Sequence, residues 1–433
     1  MTTSPSLPPT AGLGYQIDQY TLGNGLRLVV NADPTSPGVA VNLWYQVGSR
    51  DEALGRTGFA HLFEHLMFQG TWTGVAVGEH LAAIQAAGGS ANATTSFDRT
   101  NYFETVHPGA TELALWLEAQ RMEHLMVDQT NLDTQREVVK EEKRQRYDNV
   151  PYGDTFEQLF TLAYPQEYPY HHLPIGSMAD LDAAQLSDVR SFHEVHYSPD
   201  NAVLVLAGNL TTEQAIELAE RHFGQIPTRP GRPERTSPGQ LPPFTALPTH
   251  TVQRDVPRQA QHLVWRIPCS TDQDTLALDL AMDILAGGQA ARLHRDLVME
   301  RDLVESVSGG TLGLAGQTNL AVLSTRSRDD QDTDRGTAEL LIHLDRLASD
   351  GPTEEELTRV HAQLERNHLT EMATLDGRAD AINEWASLLG RPERINTILA
   401  EYATITADQI QQAVRRWLAP EARATLTYQK VSR

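Results

Sequence analysis

Cysteine is almost absent from this sequence of 433 residues, which contains a single one at position 269. One cysteine excludes an intrachain disulfide and any metal cluster built from cysteine thiolates. Lysine is also scarce, since only three of the 35 basic residues are lysines. We interpret Cys269 as a small buried apolar residue rather than a nucleophile, and the excess of arginine as a compositional bias.

Long hydrophobic runs are missing as well. No apolar stretch approaches the roughly 18 residues that a membrane-spanning helix needs. The opening residues, MTTSP, carry neither the positive segment nor the hydrophobic segment of a signal peptide. With 40% apolar and 21% charged residues, the composition is that of a globular protein. The chain as written is therefore expected to be cytoplasmic, unless a leader was removed, and to have no membrane partner.

Positive charge is in deficit, because 57 acidic residues stand against 35 basic ones and give a formal charge of −22. A polyanion would meet a repulsive field at such a surface. Nucleic acid is therefore not an expected partner.

Strand and helix patterns occur in the same order in both halves of the chain. In the first half, Asn24-Gly25 separates two β-rich runs, as in a hairpin, and strands are predicted at 39–47 and 202–207. Residues 226–250 contain seven prolines and read as a linker. Beyond the linker, the order of strand, helix, Gly-Gly, helix and paired strands restarts, which indicates an internal duplication.

The predicted fold class is α+β, with two homologous α/β-roll domains that each contain a mainly antiparallel sheet flanked by helices. The expected boundaries are 15–225 for an N-terminal domain, 226–250 for the linker, and 251–433 for a structurally similar C-terminal domain without a metal site.

The segment His61-Leu62-Phe63-Glu64-His65 carries the chemical information. On an α-helix, His61 and His65 lie about 40° apart, so both imidazoles can meet one metal ion. Two neutral imidazoles and a carboxylate suit Zn²⁺, which lowers the pKa of a bound water to about 7, and Glu64 can then accept the proton. The alternative is a pair of histidines near a helix surface with an ordinary glutamate beside them.

A catalytic zinc site needs a third protein ligand, and the predicted helix 131–147 offers Glu141 and Glu142. Val138 and Val139 precede Glu142 by one turn and place it beside the apolar face. Glu141 lies one turn after Glu137, on a helix face whose charged residues are typical of exposure to solvent. The periodicity therefore favours Glu142, with a semi-buried salt-bridge acid as the alternative interpretation.

These segments resemble the insulinase/pitrilysin family of zinc peptidases, which use an inverted H-x-x-E-H motif. The resemblance covers most of the chain and rests on the following matching segments: 58–71 (GFAHLFEHLMFQGT), 92–95 (NATT), 136–142 (REVVKEE), Pro169-Tyr170, 175–177 (IGS) and 199–202 (PDNA).

The resemblance implies a role for each matching residue. It makes His61, His65 and Glu142 the ligands of one zinc ion per chain and Glu64 the general base. Gln135 stands where the family often has a second glutamate, and its amide oxygen can accept a bond from a ligating imidazole. By the same resemblance, the segment Asn92-Ala93-Thr94 is an edge strand that pairs with the substrate backbone. The alternative for that segment is an internal hairpin strand.

One departure from the family concerns an Arg and a Tyr, seven residues apart in the second half, that contact substrate. Val298 and Glu305 stand at those positions here, and neither side chain can donate a hydrogen bond to a developing oxyanion. In related proteases the zinc half and the Arg/Tyr half lie on different subunits. The resemblance thus implies a heterodimer in which this chain is the zinc-bearing, bacterial processing-peptidase-like subunit, with a self-sufficient homodimer as the alternative.

The function expected from this resemblance is that of a zinc endopeptidase that cleaves unfolded peptides in a closed chamber formed by two subunits. The alternative is a non-catalytic scaffold or core subunit of a peptidase-like complex.

Overall fold

The computed structural model describes residues 13–229, 231, 235, 238–328 and 333–431. Its strands are β1 (Asp18–Thr21), β2 (Arg27–Ala32), β3 (Val39–Tyr45), β4 (Ser90–Thr95), β5 (Thr100–Val106), β6 (Ala202–Gly208), β7 (Thr249–Arg254), β8 (Ala260–Pro268), β9 (Val304–Thr311), β10 (Thr318–Ser327) and β11 (Ala424–Lys430).

The α-helices are α1 (Phe59–Leu66), α2 (Glu79–Ala86), α3 (Thr111–His124), α4 (Gln129–Lys143), α5 (Thr155–Ala163), α6 (Met178–Ala183), α7 (Leu186–His196), α8 (Thr212–Phe223), α9 (Gln273–Ala286), α10 (Thr333–Asp350), α11 (Glu354–Met372), α12 (Leu375–Leu389), α13 (Ile398–Ala403) and α14 (Ala407–Trp417). Two π-helical segments, Arg144–Asp148 and His294–Glu300, accompany them.

The strands form one six-stranded sheet and one five-stranded sheet. The first has the order β1-β2-β6-β3-β5-β4 and the second has the order β7-β11-β8-β10-β9. In the first sheet only β2 and β6 run parallel, and in the second only β7 and β11 do. The structure therefore confirms the α+β class with mainly antiparallel sheets flanked by helices.

The two sheets repeat one topology. The path from β2 through β6, β3 and β5 to β4 has the same pairing directions as the path from β7 through β11, β8 and β10 to β9. In the six-stranded sheet the last strand in chain order, β6, pairs in parallel with β2. In the five-stranded sheet the last strand, β11, pairs in parallel with β7. A repeated path of five strands supports the internal duplication that the order of elements predicted.

The described residues form two compact units, one around each sheet. Unit 1 is drawn from Met1–Lys143, His172–Arg235 and Asn367–Ile398, and unit 2 from Arg144–His171, Thr236–Arg366 and Leu399–Arg433. The sequence predicted that each domain is one contiguous stretch of chain. In the structure, unit 1 also contains Asn367–Ile398 from the second half, and unit 2 also contains Arg144–His171 from the first half. Local periodicity cannot show this exchange, because long-range contacts decide on which sheet a helix packs. Parts of the predicted linker, residues 230, 232–234 and 236–237, lie outside the described residues.

Helix α12 covers one face of the six-stranded sheet. Its apolar side chains pack with strand residues in one buried cluster, whose members include Val29, Ala40, Val203, Val205, Ala207, Ala379, Ile382 and Ala386. Every residue of β3 and β6 is buried, which is the pattern of strands covered on both faces. Helices α3 and α8 contact β3 and β2, and α1 contacts β4 and β5.

Helix α1 lies between β3 and β4 in chain order, and it contacts α4 and α7 as well as the sheet. The predicted helix 131–147 corresponds to α4 and the π-helical segment that follows it. Within the described residues, none of the helices is both long enough and apolar enough to cross a membrane.

Asp380 on α12 fixes the helix to the sheet through a single carboxylate oxygen. Its Oδ1 accepts hydrogen bonds from Asn42 Nδ2 at 3.1 Å, Trp44 Nε1 at 3.0 Å and Asn101 Nδ2 at 2.8 Å. These three donors lie on side chains that are nearly completely buried.

We therefore predict that Asp380→Ala destabilises the protein by roughly 3 kcal/mol or more, because buried donors without an acceptor are costly. The matched control is Asp376→Ala on the same helix, where the side chain is exposed and the expected change is below about 1 kcal/mol. Urea unfolding of both variants measures the difference. Equal stabilities would contradict this role for Asp380.

Candidate metal centre

Helix α1 has an apolar face that determines where its histidines point. Leu62, Phe63 and Leu66 have no exposed surface, and the Phe63 ring lies 5.2 Å from the rings of Phe192 and Tyr197. At 100° per residue these three positions span about 100° of the helix. The opposite side carries His61, Glu64 and His65, which therefore turn away from this aromatic cluster.

Helix α4 brings the third side chain to this place. Its inner face carries Gln135, which is 7% exposed, and Val139, which has no exposed surface. The Arg136 guanidinium donates hydrogen bonds to the carbonyls of Leu181 and Ala184 at 2.7 and 2.9 Å. These contacts fix the roll of α4, and Glu142 follows one turn after Val139.

One atom from each of the three expected ligands lies close to the other two. Glu142 Oε2 lies 3.5 Å from His61 Nε2 and 3.2 Å from His65 Nε2, and one ligand atom from each residue lies within 4.8 Å of the other two. Four-coordinate zinc holds nitrogen and oxygen ligands about 2.0–2.1 Å away, so tetrahedral ligands lie about 3.3–3.4 Å apart. Both distances to Glu142 fit this spacing, and the donor set of two imidazoles and a carboxylate fits zinc.

The two neighbouring glutamates of α4 differ in how far their side chains are buried. Glu141 is exposed and Glu142 is partly buried, which agrees with the preference for Glu142 that the periodicity indicated. One part of that reasoning does not hold in the structure, since Val138 is 42% exposed whereas Val139 is fully buried. The apolar face of the helix at this point thus consists of Val139 alone.

Glu64 is held beside this group by a hydroxyl from β4. Thr95 Oγ1 donates a hydrogen bond of 2.6 Å to Glu64 Oε2. Burial raises the pKa of the Glu64 carboxyl above its ordinary value, and the negative charge of Glu142 acts in the same direction. The Thr95 hydrogen bond and the positive charge of Arg99 oppose this rise. A carboxylate of raised pKa is a stronger proton acceptor.

The segment Asn92-Ala93-Thr94 lies in β4, the last strand of its sheet, which pairs with β5 on one side. Its Ala93 N–H donates to the Asn92 side-chain oxygen at 2.9 Å. Arg99, in the turn between β4 and β5, donates from Nη1 to the carbonyl oxygen of Thr94 at 2.9 Å. β4 is therefore both a hairpin strand and an edge strand, and its side chain at position 95 faces Glu64.

A second group of potential ligands, made of His80, Glu104 and Glu118, is completely enclosed. His80 Nε2 lies 3.0 Å from Glu104 Oε1, and the buried Arg121 guanidinium bonds the Glu118 carboxylate. Burial raises the pKa of Glu118 and lowers that of His80. Because Arg121 already supplies the cation, this group is an internal ion-pair network.

Val298 and Glu305, the two positions expected to align with the Arg and the Tyr, lie in unit 2. Val298 belongs to the π-helical segment His294–Glu300, and Glu305 is an exposed residue of β9. The side chains are those of a valine and a carboxylate, so neither can donate a hydrogen bond.

Thr95 and Arg99 were not predicted as site residues from the sequence. Strand alternation does carry a signal for Thr95, because the residue after Thr94 must point to the opposite face of β4. Arg99 has no such local signal, since its contact with Thr94 depends on the turn. His107 and His171 are hydrogen-bonded loop residues, with partners Gly109 N–H and the Tyr164 carbonyl.

Comparisons with known proteins agree with this architecture. Residues 27–169 match the family described as insulinase (peptidase family M16), and residues 183–364 match the peptidase M16 inactive domain. The chain is 31% identical to zinc protease PqqE of Helicobacter pylori over 307 residues, which are 70% of this chain and 68% of that one. It is 30% identical to an uncharacterized zinc protease of Mycobacterium leprae over 411 residues, which are 92% and 88% of the two chains.

Among solved structures, a protease from Helicobacter pylori superposes with a TM-score of 0.90 at 25% identity, covering 96% of this chain and 99% of that one. Both the sequence relatives and the shared two-sheet architecture lead to one conclusion: the chain belongs to the insulinase family of peptidases, family M16.

Proposed function

We propose that this chain is the zinc-bearing subunit of an endopeptidase that cleaves unfolded peptides inside a chamber closed by two subunits. The observation that carries the proposal is the meeting of His61, His65 and Glu142, whose ligand atoms lie within 4.8 Å of one another on two separate helices. Relatives that are named zinc proteases support the choice of metal.

In this proposal His61 Nε2, His65 Nε2 and Glu142 Oε2 hold one zinc ion. When bound, zinc supplies a Lewis acid that lowers the pKa of water. Glu64 accepts a proton from the attacking water and returns it to the leaving amine. Thr95 holds the carboxylate of Glu64 in one orientation through its bond of 2.6 Å.

Strand β4 supplies the binding surface for substrate. An extended peptide adds to the outer side of an edge strand through main-chain hydrogen bonds, whereas a folded protein cannot. Asn92, Ala93 and Thr94 are the residues proposed to pair with it. The Ala93 N–H, which bonds the Asn92 side chain in this structure, exchanges that partner for a substrate carbonyl.

A partner subunit is proposed because Val298 and Glu305 offer no hydrogen-bond donor to an oxyanion. A homologous chain that carries an Arg and a Tyr at those positions supplies the donors. One relative, 27% identical over 238 residues that are 55% of this chain and 50% of that one, is named the beta subunit of mitochondrial-processing peptidase of Blastocladiella emersonii. That name supports a function in an assembly of more than one subunit.

A non-catalytic core subunit is the second candidate, and one observation favours it. The family description that matches residues 183–364 is that of an inactive domain. The four residues proposed to bind metal and accept the proton all lie outside this range. We therefore prefer the peptidase, since a scaffold needs no carboxylate beside a metal centre.

We predict that Glu64→Gln keeps zinc at full occupancy but lowers kcat by about 10²- to 10⁴-fold, because an amide cannot accept the proton. Turnover of a quenched peptide by the assembled pair measures the loss, and elemental analysis measures the zinc. Glu137→Gln is the control, since the Glu137 side chain is 65% exposed on α4. Undiminished turnover of Glu64→Gln would remove Glu64 from its role.

The ligand set is tested by the neighbouring glutamates of α4. We expect His65→Ala and Glu142→Gln to lose most of their zinc, because each removes one of three ligands. Glu141→Gln, one residue away and exposed, should retain the wild-type amount. Metal content after dialysis against a weak chelator decides the point, and stoichiometric zinc in Glu142→Gln would contradict the assignment.

For the partner, we predict that this chain cleaves peptides only together with a homologous subunit that has the Arg and the Tyr. The two chains are co-expressed, and peptide turnover is measured for each chain alone and for the pair, with and without a chelator. Chelator-sensitive activity should appear in the pair alone. An active homodimer of this chain would overturn the heterodimer, and a pair without activity that retains zinc would favour the core-subunit function.

A further inference from the structure

The N-terminus of α1 is capped by a carboxylate from outside the helix. The helix starts after Gly58, whose φ of +90° places it in the left-handed region and which has no side chain to accept the first N–H groups. Glu52 takes this role, since its two carboxylate oxygens accept hydrogen bonds from Gly58 N at 2.9 Å and Ala60 N at 2.8 Å. A negative charge is favourable at this end of the helix dipole.

A histidine holds that carboxylate in place. His172 Nε2 lies 2.9 Å from Glu52 Oε2, and the Glu52 side chain has no exposed surface, whereas that of His172 is 19% exposed. Because both oxygens already accept from the backbone of α1, His172 adds a third donor from a segment 120 residues away in the sequence. Glu52 therefore joins the metal-bearing helix to a distant loop.

The loop after His172 is attached to the same helix end by further contacts. Ser177 N donates to Thr57 Oγ1 at 2.9 Å, and Asp180 Oδ2 accepts from Thr57 N at 3.0 Å and from Thr57 Oγ1 at 2.7 Å. A Cβ atom at Gly176 would stand 2.2 Å from Gly58 N, so the two backbones are in direct contact. Any displacement of this loop must displace the first turn of α1.

The position of that turn matters because Ala60, which donates to Glu52, immediately precedes His61. Helix α1 has eight residues, so His61 lies in its first turn and His65 within about two turns of the anchored end. If the helix rotated about its own axis by about 20°, a ring nitrogen that lies about 6 Å from the axis would be displaced by roughly 2 Å. Metal ligands need placement to within about 0.5 Å.

We propose that Glu52 and His172 are positioning residues of the metal centre, which act through the N-terminus of α1 and set the approach of His61 and His65 to Glu142. The proposal rests on the zinc function proposed above. The bonds of Glu52 are to backbone N–H groups at the start of α1 and to His172, so we expect both residues to affect metal affinity through the orientation of the helix.

The test compares two substitutions of His172. His172→Gln keeps an N–H donor near the position of Nε2, whereas His172→Leu removes it at similar size. We expect His172→Leu to weaken zinc binding by about 10- to 100-fold, as is typical when a group behind the ligands is lost. His172→Gln should restore affinity to within about 3-fold of the wild type on the same scale. Competition with a chromophoric chelator measures the zinc dissociation constants of the full chain.

Two further variants keep the test decisive. In Glu52→Gln the single amide oxygen can replace only one of the two carboxylate oxygens that accept from Gly58 N and Ala60 N. This variant should therefore weaken zinc binding as His172→Leu does. His171→Leu removes the neighbouring histidine, whose ring nitrogen bonds the Tyr164 carbonyl, and it should leave zinc affinity unchanged.

Thermal unfolding of the metal-free variants separates positioning from stability. Equal zinc affinities of wild type, His172→Leu and Glu52→Gln would overturn the inference, as would weak binding by His172→Gln and His172→Leu alike. A loss of affinity that follows the melting temperature in all variants, His171→Leu included, would assign a structural role instead. If the wild type binds no zinc, the proposed function itself fails.

Discussion

The proposed metal centre of unit 1 depends on one geometric constraint, which is that Glu142 Oε2 on one helix lies 3.2 and 3.5 Å from the Nε2 atoms of His65 and His61 on another. The two histidines meet this constraint locally because they are separated by one helical turn. Glu142 cannot do so, since it lies on a different helix and reaches them only through packing. The buried face of α1 and the Val139 face of α4 therefore serve the same purpose, which is to fix the facing sides of the two helices.

Much of this arrangement could be predicted from the sequence, because it is encoded by short periodic patterns. The helix around His61, the hairpin at Asn24-Gly25 and the preference for Glu142 over Glu141 follow from helical or strand spacing, and the structure contains each corresponding feature. The packing of α12 on the first sheet could not be predicted, since it depends on residues that are distant in the sequence. The hydrogen bonds of Asp380 with Asn42, Trp44 and Asn101 are contacts of this kind.

The duplicated sheet topology shows how one fold can carry different chemistry in its two halves. In unit 1 the connection from β3 to β4 contains α1 and the two histidines, whereas in unit 2 the matching connection from β8 to β9 contains α9 and the π-helical segment with Val298. The strands on either side keep the same pairing. The sheet is thus common to both units, whereas His61, Glu64 and His65 belong to the connecting helix of unit 1 alone.

Apolar packing and polar anchoring contribute differently to the placement of α1. Burial of Leu62, Phe63 and Leu66 selects which side of the helix faces the core, but the hydrophobic effect is non-directional. Hydrogen bonds are directional, and those from Gly58 and Ala60 to Glu52 weaken when the helix end rotates away from the carboxylate. The apolar face therefore determines the orientation of the histidines coarsely, and the buried carboxylate at the helix terminus determines it at the accuracy that a metal ion requires.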